Sequence, residues 1–485
     1  MRYPAFAPPW PAPAAPAAPA APAGGLPPGE RSADDAIVGA GLLGLATAVH
    51  LIERDPGLDV VVLDAGEVAT GASGRGTGLL GPRVGPAVDR ARERYGDEVA
   101  RRMYLASVEA VHRVRDLVSR LDIRCGLRDG DQFVVAASEH GAQALSRQAA
   151  GYRELGLDVP VLSGAQLRDR VDVPYRLGLC YRDAATLDPA ALTRGLANTA
   201  RRHGVRLYPY TPVLGLARHG RVPGLTLGSE RQKLGSWPAA SGLRSAATRE
   251  DVALQATGPR ERSERQEFCV LRARTVVLAV NAYAPALRRP AGGVLPLEVS
   301  AVATGPLDPA TYAALGGPDG YAVVDVHPMA PYFRTTPDGR LIAGGGRPTL
   351  TGGRPADQRW LADAVRALHP RLRQVEMAYA WHGRIGMTGD GLPVVGRVAG
   401  QPDVWYAGGC NGHGLAMSVA HGAHLADILT GAPGPDLPWY RDRAPWLPVG
   451  GPARPLLRGY LAALDRFGGR GRDLTRAQHH EWRTR

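Results

Sequence analysis

A strand, glycine turn, helix and second strand in immediate succession, and a later series of alternating apolar segments, together predict an α/β protein. The expected architecture is a Rossmann-like dinucleotide-binding domain carrying a second, α+β domain built on an antiparallel sheet. A chain of 485 residues exceeds what one simple core holds, so two packed domains are expected. With 44 % hydrophobic and 21 % charged residues it reads as globular.

The first observation is local. Residues 34–38 form an apolar strand, 42–54 an apolar helix and 59–63 a second strand ending at Asp64. Between strand and helix runs IVGAGLLG (37–44), in which Gly39, Gly41 and Gly44 have the GxGxxG spacing. Gly39 permits the tight turn, Gly41 lets main chain approach a pyrophosphate, and Gly44 lets helix and strand pack closely. The bare N–H groups of Leu42 and Leu43 at the helix start offer partial positive charge to that anion. Asp64 and the adjoining Ala65 stand where a carboxylate binds a ribose hydroxyl.

Further along, helical periodicity covers 87–121, 141–155, 357–368 and 415–429. Another helix covers 189–203, with Asp188 at its N-cap and Pro189 in its first turn. Strands are expected at 132–136, 205–208, 213–216 and 404–407, and a buried one at 275–280. Alternation at 298–304, 321–326, 332–335, 341–344 and 381–395 carries the predicted antiparallel sheet. Residues 1–33, mostly Pro, Ala and Gly, read as a disordered leader, and 228–267 as a surface insertion.

The formal charge of +12 invites a nucleic-acid partner, but the only lysine is Lys233 and the arginines are interleaved with acids instead of clustered. No nucleic acid is expected as a partner. Cys125, Cys180, Cys269 and Cys410 form no CxxC pair, so neither a zinc site nor thiol exchange is indicated and no metal is expected. No apolar run is long enough for a membrane span. A cytoplasmic location is expected.

Four segments beyond the glycine turn resemble the family of D-amino acid, glycine and sarcosine oxidases, in the style of glutamylputrescine oxidoreductases. They are ATGASGRGTG (69–78), TPVLGL (211–216), ARTVVLAVNAYAP (273–285), and WHGRIGMTGDGLPVVG (381–396) with the GGCNGHG turn after it. The resemblance implies non-covalent FAD. Ser73, Arg75, Gly76 and Thr77 would lie under the flavin, and Val213 would meet adenine through its main chain. Ala279, Asn281 and Gly386 would pass close to the cofactor. Gly409, Gly412, His413 and Gly414 would start a helix aimed at the flavin pyrimidine, whose reduced form carries negative charge. The implied FAD domain is assembled from 34–88, 165–290 and 387–435, and the substrate domain from 89–164 and 291–386, followed by a tail with one helix at 436–485.

The implied reaction oxidises the C–N bond of an amine or amino acid to an imine, with electrons passing on to oxygen or another acceptor. Candidate substrate-site residues are His382, Arg334, Arg384 and Tyr332. Where glycine oxidases clamp a carboxylate with arginine this chain has Ile385, and alternation turns the neighbouring Arg384 to the other face of the strand. Gly383 stands where sarcosine oxidases attach flavin to cysteine, and Leu341 near the position of their oxygen-activating lysine. Alternation is likewise expected to turn Arg340 away from the flavin. Alternative readings are a flavoenzyme oxidising a C–O bond of a 2-hydroxy acid, a flavin-dependent RNA-modification domain, and a binding protein that keeps FAD without turnover.

Overall fold

The computed structural model describes residues 8–10, 30–219, 222–227, 269–283, 293–327, 330–349 and 355–442. The segment 228–267, the C-terminal tail beyond 442 and most of the leader lie outside the described residues.

The first sheet has five parallel strands in the spatial order Arg206–Tyr208, Val60–Leu63, Glu30–Val38, Cys269–Leu278 and Gln401–Gly408. The hairpin Val213–His219/Val222–Leu227 adds antiparallel to Cys269–Leu278, and Val394–Val398 adds antiparallel to Gln401–Gly408. The inner strands are apolar on both faces: Ile37, Val60, Val62 and Val277 meet the helices, while Ala36, Val38, Val61 and Val276 pack with Val213, Val294 and Val394 on the other side. Leu42–Arg54 lies between the helices Gly414–Leu429 and Pro189–Arg202. It touches the former so closely that a Cβ on Gly422 would come within 2.7 Å of the Ala46 methyl.

The first strand begins at Glu30, earlier than expected, because the parallel ladder runs on from Glu30 opposite Val270 to Val38 opposite Leu278. The leader reading of 30–33 is thereby corrected. Asp188 caps its helix as expected, accepting from the Ala190 and Ala191 N–H groups at 2.8 and 2.9 Å. The single helix expected over 87–121 is two, Val88–Tyr95 and Asp97–Arg120. Gly96 separates them with φ +78° and ψ 164°, a conformation that only glycine adopts readily.

The second sheet runs in the order Met377–Thr388, Val294–Thr304, Leu341–Thr349, Tyr332–Thr335, Ala322–Asp325, Gln132–Ala136, Leu177–Tyr181 and Val161–Ser163. All its pairs are antiparallel except Ala322–Asp325 with Gln132–Ala136. Leu177–Tyr181 belongs to this sheet although the sequence reading puts it on the first domain's side of residue 165; it pairs on both edges, with 132–136 and 161–163. Val302, Phe333, Leu341, Ala343 and Ala380 turn one face toward Leu361, Ala362 and Val365 of helix Pro355–Leu368. The opposite face carries Ala301, Ala303, Ile342 and Trp381.

At the end of Ala322–Asp325, the half-buried Asp325 accepts the His327 N–H at 2.8 Å, and desolvation pushes its carboxyl up to about 7. A carboxyl whose pKa is higher folded than unfolded stabilises the fold at acid pH and loses that contribution as pH rises through the folded value. Asp325→Asn keeps the acceptor and removes the charge. It should therefore raise the melting temperature at pH 8 and change it little at pH 4, in paired thermal melts. An equal shift at both pH values would contradict this.

Candidate functional site

The glycine turn is shaped by three different constraints. Gly39 has φ +110°, and a Cβ there would lie 2.7 Å from the Ala279 carbonyl oxygen. A Cβ on Gly44 would meet the Gly39 oxygen at 2.0 Å. Both glycines are therefore demanded by the protein's own packing. Gly41 differs: its virtual Cβ meets only the Ser73 side chain, with Oγ at 2.9 Å. The same Oγ accepts the Leu42 N–H at 2.9 Å, so a hydroxyl sits at the uncapped start of the helix. Leu43 is buried beneath the turn.

Asp64 lies beside this turn. Its carboxylate accepts main-chain N–H groups of Ala40 at 2.7 Å and Gly66 at 2.9 Å. Burial pushes its pKa up, and these two bonds act against that shift. Ala65 is half-buried next to it. The main chain of 208–211 is stitched alongside by Asp64 N–H to the Tyr208 oxygen and Thr211 N–H to the Asp64 oxygen, and Val213 is buried just beyond. Glycine turn, carboxylate and Val213 thus converge at the C-terminal edge of the parallel strands, where open α/β sheets bind their ligands.

The 69–78 loop bridges the two sheets. Arg75 donates from Nε to the Thr70 oxygen at 2.8 Å and from Nη1 to the His382 oxygen at 3.1 Å. The Trp381 indole donates to the Arg75 oxygen at 2.9 Å. Gly383 faces the same arginine, since a Cβ there would lie 3.4 Å from the Arg75 Cβ. Gly76 borders Pro189, and the Thr77 hydroxyl bonds Tyr332.

The second glycine turn is built by two asparagines. Asn281, at φ +41°, accepts the Gly409 N–H at 2.8 Å, and a Cβ on Gly386 would approach its Oδ1 to 2.5 Å. Asn411 accepts the Thr388 N–H at 2.8 Å and donates to the Gly409 oxygen at 2.6 Å. Gly409 and Gly412 take φ +68° and +88°. His413 is the N-cap and Gly414 the first residue of helix Gly414–Leu429. Burial, reinforced by the Arg83 charge, pushes the His413 imidazole down to about 3, so it is neutral.

The substrate-site candidates fare differently. Arg334 is 2 % exposed and spends its guanidinium on main-chain oxygens: Thr77 at 2.6 Å, Leu187 at 2.8 Å and Thr335 at 3.2 Å. Desolvation, with Arg128 nearby, lowers its pKa to about 9. The expectation that Arg334 contacts substrate is corrected: it clamps the 69–78 loop to the second sheet. Arg384 is ion-paired with Glu298 at 2.8 Å and stacks on Tyr283, on the strand face opposite Trp381. His382 shares that opposite face by alternation, and only its main-chain oxygen meets Arg75. The strand therefore offers neither side chain to the Arg75 side. Tyr332 does lie on the Trp381 face, opposite Gly344, where a Cβ would come 2.4 Å from its hydroxyl.

Two further placements differ from expectation. Leu341 points into the helix-covered core, and Ile342 is the residue of that strand packed with Trp381. Arg340 lies on the Trp381 side, stacked over Tyr379 at 5.3 Å and paired with Asp338 at 2.7 Å. Trp381, Asn411 and Glu298 were missed by residue-type reasoning. The first two sit inside the quoted motifs and could have been found there.

A parallel sheet with an open-ended glycine turn, a carboxylate at the next strand end, and a second helix start pointed back by a glycine turn defines a dinucleotide-binding oxidoreductase. The half-buried Asp64 carboxylate, held only by main-chain N–H groups, and the helix start at Gly41, whose N-cap residue supplies no side chain, fit the ribose and pyrophosphate of FAD. The chain belongs to the family described as FAD dependent oxidoreductase, whose profile matches residues 34–428.

The gamma-glutamylputrescine oxidoreductase of Escherichia coli is 27 % identical over 410 residues, covering 82 % of this chain and 84 % of that one. The glycine oxidase of Bacillus licheniformis is 23 % identical over 416 residues, covering 82 % and 94 %. Among solved structures, glycine oxidase from Geobacillus kaustophilus superimposes with a TM-score of 0.66 at 19 % identity, covering 87 % of this chain and all (100 %) of that one. L-proline dehydrogenase from P. horikoshii gives 0.63 at 17 % identity, covering 84 % and 96 %. At such identities the structural likeness speaks to fold. The protein is thus an FAD-dependent oxidoreductase with a Rossmann-like domain and a second sheet domain. Among the described residues no helix is long and apolar enough to cross a membrane.

Proposed function

We propose that the protein oxidises the C–N bond of a substituted amine to an imine, with the reacting carbon held over the sheet face that bears Trp381, Ile342 and Tyr332. The observation that carries this is the commitment of the surrounding arginines. Arg334 serves three main-chain oxygens, Arg384 serves Glu298, Arg340 serves Asp338, and Arg75 serves Thr70 and His382. The face itself is apolar, with Ala301, Ala303 and Ile342 at its centre. Such a surface suits an uncharged amine better than the carboxylate of a small amino acid or a 2-hydroxy acid.

FAD, when bound, would supply the two-electron acceptor for the hydride. The chain's residues do the rest. Asp64 would hold the ribose and the main chain of the first turn beside Gly41 the pyrophosphate, and the helix start at His413–Gly414 would offer positive potential to the flavin pyrimidine. The fit is non-covalent, since Gly383 has no side chain to attach. The Tyr332 hydroxyl, bonded to Thr77, orients the amine, and the neutral amine needs no side-chain base because its second proton leaves to solvent. The compounds named for the relatives, glutamylputrescine and glycine, both carry a C–N bond, which supports C–N oxidation though not the choice between amine and amino acid. With Ile342 at the face, electrons should pass to oxygen slowly and to a quinone or protein carrier faster. The buried Cys125, Cys180 and Cys410 thiols, each pushed up by burial, suit the reducing cytoplasm.

Anaerobic titration with a panel of primary amines, secondary amines, N-substituted amino acids and 2-hydroxy acids tests the proposal. Amines should bleach the flavin, and reoxidation by a soluble quinone should outrun that by air-saturated buffer. Faster bleaching by a hydroxy acid than by any amine would overturn the C–N assignment.

A further inference from the structure

Trp10 is remote in sequence from everything it touches. Its ring packs on Ala301, Ala303, Ile342 and Trp381. The Arg334 guanidinium carbon lies 5.6 Å from its ring centroid. These partners share one side of the second sheet by register: Ala301 is opposite Trp381, Ala303 opposite Ile342, and Ile342 opposite Arg334. That side also carries Tyr332 and, through the Trp381 indole, meets the loop of Arg75. The face proposed above to receive the amine therefore already holds an aromatic side chain of the same chain.

The contact has the character of a bound ligand more than of core packing. Among the described residues the Trp10 Nε1–H is buried without a hydrogen-bond partner, a desolvation cost that withdrawal into water would relieve. The ring lies against a guanidinium whose N–H groups already serve main-chain oxygens, so cation–π attraction remains available to it. Trp10 is separated from Glu30 by a segment that could span up to about 60 Å when extended, enough to place it on the face or away from it.

We infer that Trp10 is an intramolecular occupant of the substrate face, and that turnover requires it to withdraw. This rests on the amine-oxidation reading for the identity of the competitor, but not for the contact itself. The chemistry of the occupant also describes the competitor: an amine carrying a flat aromatic or bulky apolar group would reproduce the contacts with Ala301, Ala303 and Ile342.

Two measurements on the FAD-loaded full-length protein test it. Sulfite bleaches bound flavin without turnover, so its rate reads access to the flavin from this side. Benzylamine reports amine binding through anaerobic flavin reduction. If the face is free about a tenth of the time, Trp10→Ala should speed sulfite bleaching and lower the apparent dissociation constant for benzylamine, each by about tenfold, with Trp10→Phe intermediate. Unchanged sulfite rates in Trp10→Ala would overturn the inference. So would weaker benzylamine binding, which would make Trp10 a wall of the pocket, or a rise in FAD affinity alone, which would place Trp10 in the cofactor's own position. If sulfite distinguishes the variants while no amine reduces the flavin in any of them, the occupant stands and the amine reading fails.

Discussion

Gly41→Val should yield folded, colourless protein. The turn itself has room for the change, because the first obstacle to a Cβ is the rotatable Ser73 side chain, with Oγ at 2.9 Å. The pyrophosphate must approach the main chain where that Cβ would project, and overlap of this kind costs about 3 kcal/mol, roughly a hundredfold in affinity. Flavin absorbance per protein, followed by titration of the apoprotein with FAD, measures the loss, while circular dichroism and the melting temperature of the apoprotein should hold. Stoichiometric FAD in the purified variant would show that the pyrophosphate does not lie against Gly41. Gly39→Val and Gly44→Val are expected to damage folding instead, since their obstacles are the main-chain oxygens of Ala279 and Gly39.

Arg334→Met should be among the most destabilising single substitutions in the chain. Methionine fills a similar volume but leaves the Thr77, Leu187 and Thr335 oxygens without their charged donor. Hydrogen bonds to a buried charge are worth more than neutral ones, and stranded buried acceptors add their own desolvation cost, so a loss of about 3–5 kcal/mol is expected. Chemical denaturation of the apoprotein reads this without reference to turnover. Were the variant as stable as the parent but unable to reduce its flavin, Arg334 would belong to the substrate site after all.

What the sequence makes legible is largely what neighbouring residues decide. The glycine turn, Asp64 and the Asp188–Pro189 helix start are fixed within a few residues of chain, and each could be read from spacing and cap chemistry. The break at Gly96 was equally local but is hidden by apolar periodicity that continues across it. The role of Arg334 was not legible: its partners come from Thr77 and Leu187, brought together only when the two domains dock. Strand alternation separates Arg384 from Ile385, yet it cannot say which face meets the 69–78 loop. That is settled by Trp381 bonding the Arg75 oxygen, a tertiary contact. Leu341 shows the same limit, since a one-residue difference in alignment exchanges core for cleft.

The order of strands in the parallel sheet has a consequence during synthesis. Its first strand, Glu30–Val38, finds one parallel partner promptly in Val60–Leu63, but its other partner is Cys269–Leu278, and that strand in turn awaits Gln401–Gly408. The helix Leu42–Arg54 is buried by Gly414–Leu429, which is made later still. A ribosome therefore exposes an apolar helix and a sheet edge for most of the translation time. Contacts this distant along the chain slow folding and favour aggregation of partial chains. Removing the helix Gly414–Leu429 should thus affect the nascent N-terminal unit most, far from the cut in sequence and adjacent to it in space.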